Sequence, residues 1–315
     1  MRPDARVLIA GRSGLAGSAI HRALEARGFS RLLGPARAEL DLRDAAAVDR
    51  YFSKERPEYI IMAAAKVGGI LANDTYPADF IRENLQIQTN VIDSAYRHGV
   101  RKLCMLGSSC IYPRLAPQPM PEEALLTGPL EPTNQWYAIA KIAGIKMCQA
   151  YARQHGFNAI SPMPTNLYGP GDNFDLATSH VLPALIRKFH EAKLGGREAV
   201  TVWGTGAPRR EFLYVDDLAD ALCFLMEHYD SPEIINVGVG EDVSIAELAE
   251  LVRGIVGFEG GIVFDRGKPD GTPRKLLDVT RLSALGWRAR TPLAEGIGAT
   301  YAWYLTTERA ARAHA

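Results

Sequence analysis

The stretch GRSGLAG, residues 11–17, decides the fold of this 315-residue chain. It follows the apolar run RVLIAG (6–11), which predicts a buried strand, and it precedes SAIHRALEARG (18–28), which predicts an amphipathic helix that ends at Gly28. Glycines in a first βα turn permit a tight turn and let backbone N–H groups approach a pyrophosphate at the helix N-terminus. The stretch therefore predicts a dinucleotide-binding fold, and a merely tight turn is the weaker interpretation.

Strand-like and helix-like segments alternate along the chain as far as about residue 166. Beyond the first pair, the predicted strands are Leu32–Leu33, Tyr59–Ala63, Lys102–Leu106 and Asn158–Met163, and the predicted helices are Ala45–Glu55, Pro77–His98 and Trp136–Gln154. Such a βαβ rhythm is typical of an α/β fold with a Rossmann-like doubly wound parallel sheet.

The pattern changes after about residue 166, where loops rich in Gly, Pro and Asn such as NLYGPGDN interrupt it. We therefore predict two parts. Residues 1–165 together with about 214–240 form a Rossmann domain that binds the dinucleotide, because a later segment returns to the first sheet. Residues from about 166–213 and 241–315 form a smaller C-terminal α/β region that binds the substrate.

Composition and charge exclude several classes of protein. Lys and Arg together number 36, as do Asp and Glu, so nothing indicates a nucleic-acid-coating protein. No run of about 18 apolar residues occurs, so no membrane span is expected. The first residues, MRPDARVLIAG, lead directly into a strand and show no signal peptide. The four cysteines lack the spacing of a metal site, so we predict no metal, and for three of the four we expect ordinary reduced thiols in a cytoplasmic enzyme.

The position that selects between NAD and NADP carries a basic residue. Many NAD-binding folds place an acid about 20 residues beyond the glycine loop, where it contacts the ribose 2′-hydroxyl. Here that position is Arg37, and Arg12 lies within the loop itself. Two guanidinium groups near the ribose suit a 2′-phosphate, so NADP is favoured, although an ordinary exposed loop arginine explains Arg37 as well. Asp41 is expected nearer the adenine than the ribose.

Tyr137 and Lys141 form a YxxxK pair at the start of a predicted helix, so their side chains share one helix face. A lysine ammonium beside a phenol lowers the pKa of the phenol, which would make Tyr137 a proton donor or acceptor near neutrality. A YxxxK string alone is common. Here it follows a dinucleotide loop and a strand that leads to Ser108 and Ser109, and that combination predicts an oxidoreductase active site.

Long strings of sequence spread over nearly the whole chain carry a family resemblance. They are AAAKVGGI (63–70), NDTYPADF (73–80), LGSSCIYP (106–113), EPTNQWYAIAKIAGIK (131–146), PTNLYGPGDNF (164–174), SHVLPALIRKFHEA (179–192) and KPDGTPRKLLDVTRL (268–282). With these motifs the chain resembles the extended short-chain dehydrogenase/reductases and, within them, closely resembles the GDP-L-fucose synthases. The resemblance implies an NADPH-dependent bifunctional enzyme that inverts C3 and C5 of GDP-4-keto-6-deoxy-D-mannose, reduces its C4 ketone and so forms GDP-L-fucose.

The resemblance also implies a role for each matching residue. Ser108, Tyr137 and Lys141 are catalytic, with Tyr137 protonating the C4 oxygen and Lys141 holding the nicotinamide ribose. NADP(H) is bound by Gly11, Arg12, Ser13, Gly14, Leu15, Ala16, Gly17, Arg37, Asp41, Leu42, Leu106, Gly107, Ser108, Ser109, Lys141, Pro164, Thr165, Asn166, Leu167 and His180. The GDP-sugar is bound by Lys188, Trp203, Arg210 and Asp270. Three further cations are interpreted as solvated surface charges: Arg209, Arg274 and Lys275.

Cys110 and His180 are expected to be catalytic in epimerisation. A C4 ketone acidifies the protons on both neighbouring carbons, and each inversion needs groups on opposite ring faces that change protonation near pH 7. A thiol and an imidazole, with ordinary pKa values of about 8.5 and 6.5, are suitable. The resemblance implies the thiolate as base and the histidine as acid, an order that the sequence leaves open. Without the resemblance, a small packing residue explains Cys110 and a helix N-cap neighbour explains His180.

Two other functions compete with this one. A nucleotide-sugar 4-epimerase or 4,6-dehydratase of the same superfamily is the nearest, but a dehydratase normally needs a glutamate where this chain has SSCIYP (108–113). A non-catalytic NADP-binding regulator typically lacks the Tyr/Lys pair that is present here. The resemblance also implies a homodimer built on the helices Pro77–His98 and Trp136–Gln154, unless their apolar faces are wholly covered by their own sheet.

Overall fold

A computed structural model describes residues 1–268 and 270–313 of the chain. The strands are β1 (Val7–Ala10), β2 (Leu32–Leu33), β3 (Tyr59–Met62), β4 (Lys102–Met105), β5 (Ala159–Pro164), β6 (Asn166–Tyr168), β7 (Ala199–Trp203), β8 (Arg209–Arg210), β9 (Phe212–Tyr214), β10 (Ile234–Val237), β11 (Val243–Ser244), β12 (Gly261–Asp265) and β13 (Arg274–Lys275). The helices are α1 (Leu15–Ala26), α2 (Ala45–Glu55), α3 (Ile70–Thr75), α4 (Pro77–Arg97), α5 (Gln135–His155), α6 (Val181–Leu194), α7 (Val215–His228), α8 (Ile245–Val256), α9 (Thr280–Ala284) and α10 (Leu293–Ala313). Within these described ranges, no helix has the length and apolarity that crossing a bilayer requires.

A six-stranded sheet in the order β10-β5-β4-β3-β1-β2 forms the centre of the fold. All of its pairings are parallel. The chain proceeds outward from β1 to β2 in one direction and from β3 onward in the other, so the topology reverses between β1 and β3. In such sheets the ligand binds outside the carboxyl ends of the strands at this reversal. The Rossmann-like doubly wound parallel sheet predicted from the sequence is confirmed.

Helices cover both faces of this sheet. Alternate residues of a strand point to opposite faces, and β1 shows the division. Val7 and Ile9 pack into a core shared with α1 and α7, whereas Leu8 and Ala10 pack into a core shared with α2 and α4. All four residues of β1 are buried, which explains why its sequence is a continuous apolar run instead of an alternating one.

Local sequence signals place most element boundaries. The predicted strand at Leu32–Leu33 and the predicted helix at Ala45–Glu55 are confirmed, and the others up to β5 differ by at most one residue at either end, apart from the first helix. That helix begins at Leu15 and not at Ser18, because Gly14 is already its N-cap with extended backbone angles. The glycine loop therefore leads directly into the first helical turn.

The chain beyond β5 builds smaller sheets and a separate core. Strands β7 and β12 pair in parallel, β11-β8-β13 form a three-stranded sheet, and β6 pairs with β9. Helices α6, α8 and α10 enclose an apolar core that includes Phe189, Leu248 and Ile297. Strand β10 returns to the large sheet and α7 packs against α1, as predicted for this part of the chain, whereas β9 pairs with β6. The boundaries of the two domains stay a prediction.

Glu211, a fully buried residue between β8 and β9, connects three distant segments. Its carboxylate accepts hydrogen bonds from the backbone N–H groups of Val239 (2.6 Å), Gly240 (2.8 Å) and Leu277 (3.0 Å). Its carbonyl oxygen accepts hydrogen bonds from the side chains of Thr165 (3.3 Å) and Asn166 (2.7 Å). Burial raises the pKa of this carboxyl group, and the backbone donors oppose that rise.

Candidate active site

The glycine loop presents an uncapped helix N-terminus at the carboxyl edge of the sheet. Gly11 has a φ of +85°, and a Cβ there would lie 2.8 Å from the backbone of Ala64. A Cβ on Gly17 would collide with the carbonyl oxygen of Gly11. Gly14 caps α1 without a side-chain hydrogen bond, so the first-turn N–H groups remain available to an anion. These residues fit the pyrophosphate of a dinucleotide.

The two arginines predicted for the cofactor lie on adjacent loops. Arg12 is exposed and packs over Gly34, where a Cβ would collide with its side chain. Arg37 lies three residues further along that second loop, is 70% exposed, and lies 3.7 Å from Glu83. Neither guanidinium group is buried in a structural ion pair, so both are free to approach a 2′-phosphate at this edge.

Asp41 is held in an ion pair with Arg43. The guanidinium group donates to the Asp41 carboxylate from Nε (2.9 Å) and Nη2 (2.6 Å), and these hydrogen bonds lower the pKa of Asp41 to about 2. Glu83 on α4 receives Arg43 (3.1 Å) and Lys66 (2.9 Å) from the loops after β2 and β3. This network fixes the loops around the adenosine end of the predicted cofactor site.

Tyr137 and Lys141 lie four positions apart on α5, near the end of β4, and Tyr137 forms a hydrogen bond with Ser108. The Nζ atom of Lys141 lies 5.9 Å from the centre of the Tyr137 ring and donates to the carbonyl of Leu106 (2.7 Å). Burial lowers the pKa of Lys141 to about 8. A hydrogen bond with Ser108 lowers the pKa of Tyr137, but burial, aided by Cys110, raises it by more. The expected lowering of this phenol's pKa by Lys141 is therefore not seen, and the phenol is protonated at neutral pH.

Cys110 differs from the other cysteines in its surroundings. It is half-buried on a 3-10 turn, Ser109–Ile111, and its N–H donates to the hydroxyl of Ser108 (3.2 Å). The Nζ atom of Lys275 lies 3.7 Å from its sulfur. The other three thiols are buried and free of disulfides: Cys104, Cys148 and Cys223.

His180 is the N-cap residue of α6, but its side chain makes no capping hydrogen bond. Part of its surface is open to the cleft, while protein surrounds the ring closely enough that desolvation lowers its pKa, and the charge of Lys275 adds to that effect. The preceding loop is held by Gly69, whose N–H donates to the carbonyl of Thr178 (3.0 Å). Lys275 thus interacts with both predicted epimerisation residues, which are 70 positions apart in the sequence.

Trp203, at the end of β7, is 49% exposed and lies between two ammonium groups. The Nζ atoms of Lys188 and Lys268 are 5.4 Å and 5.3 Å from its ring centre, within the range of cation–π contacts. Lys188 also donates to the carbonyl of Thr201 (3.1 Å). An aromatic face beside two cations suits a nucleotide diphosphate, and Lys268 was not predicted from the sequence.

Arg210 and Asp270 meet at the other side of the cleft. Arg210 donates to the carbonyls of Arg209 (2.8 Å) and Asp270 (3.5 Å), and burial lowers its pKa while the neighbouring Cys110 opposes that shift. The Asp270 carboxylate accepts from the N–H (2.7 Å) and hydroxyl (2.9 Å) of Thr205. The segment PTNL (164–167) is anchored nearby through Glu211, at the carboxyl end of β5.

The interpretation of Lys275 as a solvated surface charge is wrong. Arg209 and Arg274 pair with Asp242, whose side chain is 5% exposed, and therefore serve the fold. Lys275, next to Arg274 on β13, is half-buried against the Cys110 thiol. Its only signal in the sequence was its position in the string KPDGTPRKLLDVTRL. The pairing of β13 with β8 that brings it to the cleft is not visible in local sequence.

Residues 7–238 match the model of the NAD dependent epimerase/dehydratase family. The chain belongs to this family. Within it, the chain is 64% identical to "GDP-L-fucose synthase 1" of Arabidopsis thaliana over 96% of this chain and 94% of that relative. The family and the GDP-L-fucose synthase resemblance recognised in the sequence are confirmed.

Solved structures of epimerase/dehydratase relatives superpose on the whole molecule. The crystal structure of a GDP-6-OMe-4-keto-L-xylo-heptose reductase from C. jejuni has a TM-score of 0.94 at 39% identity and covers 98% of this chain and 99% of its own. A GDP-L-fucose synthetase from Naegleria fowleri bound to NADP has a TM-score of 0.91 at 33% identity, with 98% and 95% covered.

The lowered pKa of Lys141 predicts how reduction depends on pH in this family member. The kcat/KM for NADPH oxidation should fall above pH about 8, because the buried ammonium then loses its proton, and kcat/KM reports groups of the free enzyme. A Lys141→Arg variant keeps its charge, so its weaker activity should lack this alkaline decline. A wild-type profile that stays flat to about pH 10 would show that no ammonium with a lowered pKa is required.

Proposed function

We propose that this chain is an NADPH-dependent bifunctional 3,5-epimerase/4-reductase that converts GDP-4-keto-6-deoxy-D-mannose to GDP-L-fucose. The close relative in Arabidopsis thaliana is named for this synthase activity, and the Naegleria fowleri structure carries NADP. One arrangement supports the proposal above others: Cys110 lies between the Ser108–Tyr137 pair and Lys275, so a thiol shares the cleft of a reductase.

The chain offers a distinct group for each part of NADPH. The glycine loop, residues 11–17, receives the pyrophosphate at the start of α1, and Arg12 and Arg37 receive the 2′-phosphate. Lys141 holds the nicotinamide ribose from its buried position, close to Leu106 and the segment PTNL (164–167). When bound, the cofactor supplies the hydride that reduces the C4 ketone.

Epimerisation is assigned to Cys110 and His180. The Cys110 thiolate removes a proton from the carbon next to the ketone, and the electron pair of the broken C–H bond moves into an enolate. His180, on a different element across the cleft, returns a proton to the opposite face. The two residues come from the turn after β4 and the start of α6, so they can approach the sugar from separate sides.

Reduction at C4 is assigned to Ser108, Tyr137 and Lys141. The raised pKa keeps Tyr137 protonated at neutral pH, so it enters the reaction as the proton donor to the C4 oxygen. Ser108 hydrogen-bonds with the phenol and aligns it. The Lys141 ammonium, 5.9 Å from the Tyr137 ring centre, stabilises the phenolate that remains after the transfer.

The GDP portion is assigned to residues after β5. Lys188 and Arg210 receive the diphosphate, Trp203 forms an aromatic wall, and Asp270 accepts ribose hydroxyls. The separate core around α6 and α8 supports the division of the chain into the two predicted domains, one for NADP and one for the GDP-sugar.

A GDP-sugar C4 reductase that does not invert C3 and C5 is the second candidate, because the C. jejuni heptose reductase has nearly the same fold. Both candidates use Tyr137 and Lys141. They differ in the need for Cys110 and His180, so incorporation of solvent deuterium at C3 and C5 separates them.

Substitution of Cys110 should separate the two chemistries. In Cys110→Ser the hydroxyl is far too weak an acid to supply an equivalent base, so deuterium exchange at C3 and C5 should fall at least about 100-fold. NADPH should still be consumed slowly, giving a GDP-6-deoxy sugar with manno or talo configuration. Tyr137→Phe should do the opposite and leave exchange active while NADPH is not consumed. NMR of the products in deuterium oxide measures both effects.

A control variant keeps this test specific. Cys148→Ser changes a buried thiol on α5 that lies outside the cleft, and both activities should survive in folded protein. If Cys110→Ser forms GDP-L-fucose at nearly the wild-type rate with full deuterium incorporation, Cys110 is a packing residue and the epimerase assignment is wrong.

Cofactor preference should depend on the exposed arginines. One charge-assisted phosphate contact contributes about 1.5–3 kcal/mol, so wild-type enzyme should prefer NADPH over NADH by about tenfold or more in kcat/KM. Arg37→Ala should reduce that ratio at least about fivefold by weakening NADPH alone. Arg101→Ala, an exposed arginine at the amino end of β4, is the control. Equal efficiency with NADH in the wild type would contradict the assignment.

The proposal includes a homodimer in the cytoplasm. Trp136 and Ile139 on α5 are 39% and 38% exposed, and Tyr96 on the adjacent α4 is 36% exposed, so this helix pair keeps apolar surface that its own sheet does not cover. Sedimentation should give twice the monomer mass at micromolar concentration. Ile139→Lys should shift the protein towards monomer, and Leu194→Lys, an exposed apolar residue at the end of α6, should not. A wild type that sediments only as monomer contradicts the dimer.

A further inference from the structure

Lys275 is a half-buried cation whose charge is not used by the fold. Its Nζ atom lies 3.7 Å from the sulfur of Cys110. The neighbouring Arg274 points to the other side of β13, as alternation along a strand requires, and pairs with Asp242. Among the described residues, no carboxylate lies within ion-pair distance of Lys275. A cation in this setting favours an anion at its nearest neighbour, which is the thiol.

The backbone around Lys275 is fixed on both sides. In the register of β13 with β8, Lys275 lies opposite Arg210. Its carbonyl accepts the N–H of Glu211 (3.2 Å), and the buried carboxylate of Glu211 accepts the N–H of Leu277 (3.0 Å). The ammonium therefore extends from a rigid strand instead of a loose loop, which suits a residue that sets the position and charge of another group.

We propose that Lys275 is a positioning residue for epimerisation, which pairs with Cys110 as the thiolate and holds its sulfur towards the cleft. The proposal rests on the epimerase assignment above, in which Cys110 is the base. It assigns a role to Lys275 that the local sequence does not indicate.

The charge of Lys275 suits both states of the base. When Cys110 takes a proton, a C–H bond of the sugar breaks, an S–H bond forms, and the electron pair becomes the enolate. Negative charge moves from sulfur to substrate while Lys275 remains an ammonium, so one fixed cation stabilises the charge before and after transfer. The enolate then takes a proton from His180, and a C–H bond forms as an N–H bond breaks.

The other groups that face Cys110 cannot substitute fully for Lys275. Ser108 and Tyr137 are neutral hydroxyl groups, and the imidazole of His180 interacts with Lys275. Arg210 is a cation close enough to interact with Cys110, but its N–H groups are directed to the carbonyls of Arg209 and Asp270. Removal of the Lys275 charge should therefore strongly reduce the reactivity of Cys110 as a thiolate without abolishing it.

Alkylation by iodoacetamide tests the pairing without any substrate, because the thiolate is the reactive form. At pH 7, followed by mass spectrometry, Lys275→Met should lower the alkylation rate of Cys110 about tenfold or more. Lys275→Arg should stay within about threefold of wild type. Arg274→Met removes a cation from the same strand but on its other face, and it should react like wild type. The buried thiols on β4, α5 and α7 provide internal references.

Turnover then connects the pairing to the reaction. In Lys275→Met, deuterium exchange at C3 and C5 should fall about tenfold. The slow oxidation of NADPH, of the kind expected for Cys110→Ser, should stay within about threefold of that variant's rate. Lys275→Arg should restore exchange. Lys275→Gln repeats the test if the Met variant does not fold. Wild-type alkylation rates in the folded Met and Gln variants would overturn the proposal. Wild-type enzyme that alkylates as expected but exchanges no deuterium would instead refute the epimerase assignment.

Discussion

The buried carboxylate of Glu211 is the interaction on which the cleft depends. It accepts hydrogen bonds from three backbone N–H groups, which belong to the loop after β10 and to the segment after β13. Its own carbonyl oxygen accepts hydrogen bonds from the side chains that follow β5. A buried charge is tolerated only where donors surround it, so these segments must converge on one point. Arg210 directly precedes Glu211 in the chain, and the carbonyl of Lys275 accepts a hydrogen bond from the backbone N–H of Glu211. The segments that carry Arg210 and Lys275 are thus fixed around one buried carboxylate.

Two lysines in this cleft show how burial and neighbours divide chemical roles. Lys141 is 3% exposed, donates to a carbonyl, and has a pKa lowered by desolvation, so its charge responds to moderately alkaline pH. Lys275 is half-buried and its Nζ atom lies 3.7 Å from the sulfur of Cys110, so its charge acts on the thiol. In the proposed mechanism, reduction and epimerisation share one cleft, and each chemistry has its own cation.

Sequence alone predicted what depends on local constraints. The glycine loop, the YxxxK pair and the strands up to β5 are each specified by a few consecutive residues, and the strands end within one residue of their predicted bounds. Lys275 and Lys268 were missed because their roles arise from tertiary contacts with Cys110 and Trp203. The pKa of Tyr137 was expected to fall, yet desolvation, which only the folded structure reveals, outweighs its hydrogen bond with Ser108. The fold was therefore predictable, whereas the electrostatics of the site were only partly so.

The predicted preference for NADP depends on Gly34 as well as on the arginines that are assigned to the 2′-phosphate. This residue contributes no side chain, and the Arg12 side chain occupies the space where a Cβ would stand. Its φ lies outside the left-handed region, so the obstacle to alanine is steric: an added Cβ would collide with Cδ of Arg12 and lie 2.8 Å from its Cβ. A methyl group at this position would therefore displace one of the two guanidinium groups assigned to the 2′-phosphate. The preference for NADP over NAD would therefore depend partly on a residue that has no side chain, because Gly34 leaves the space that Arg12 occupies.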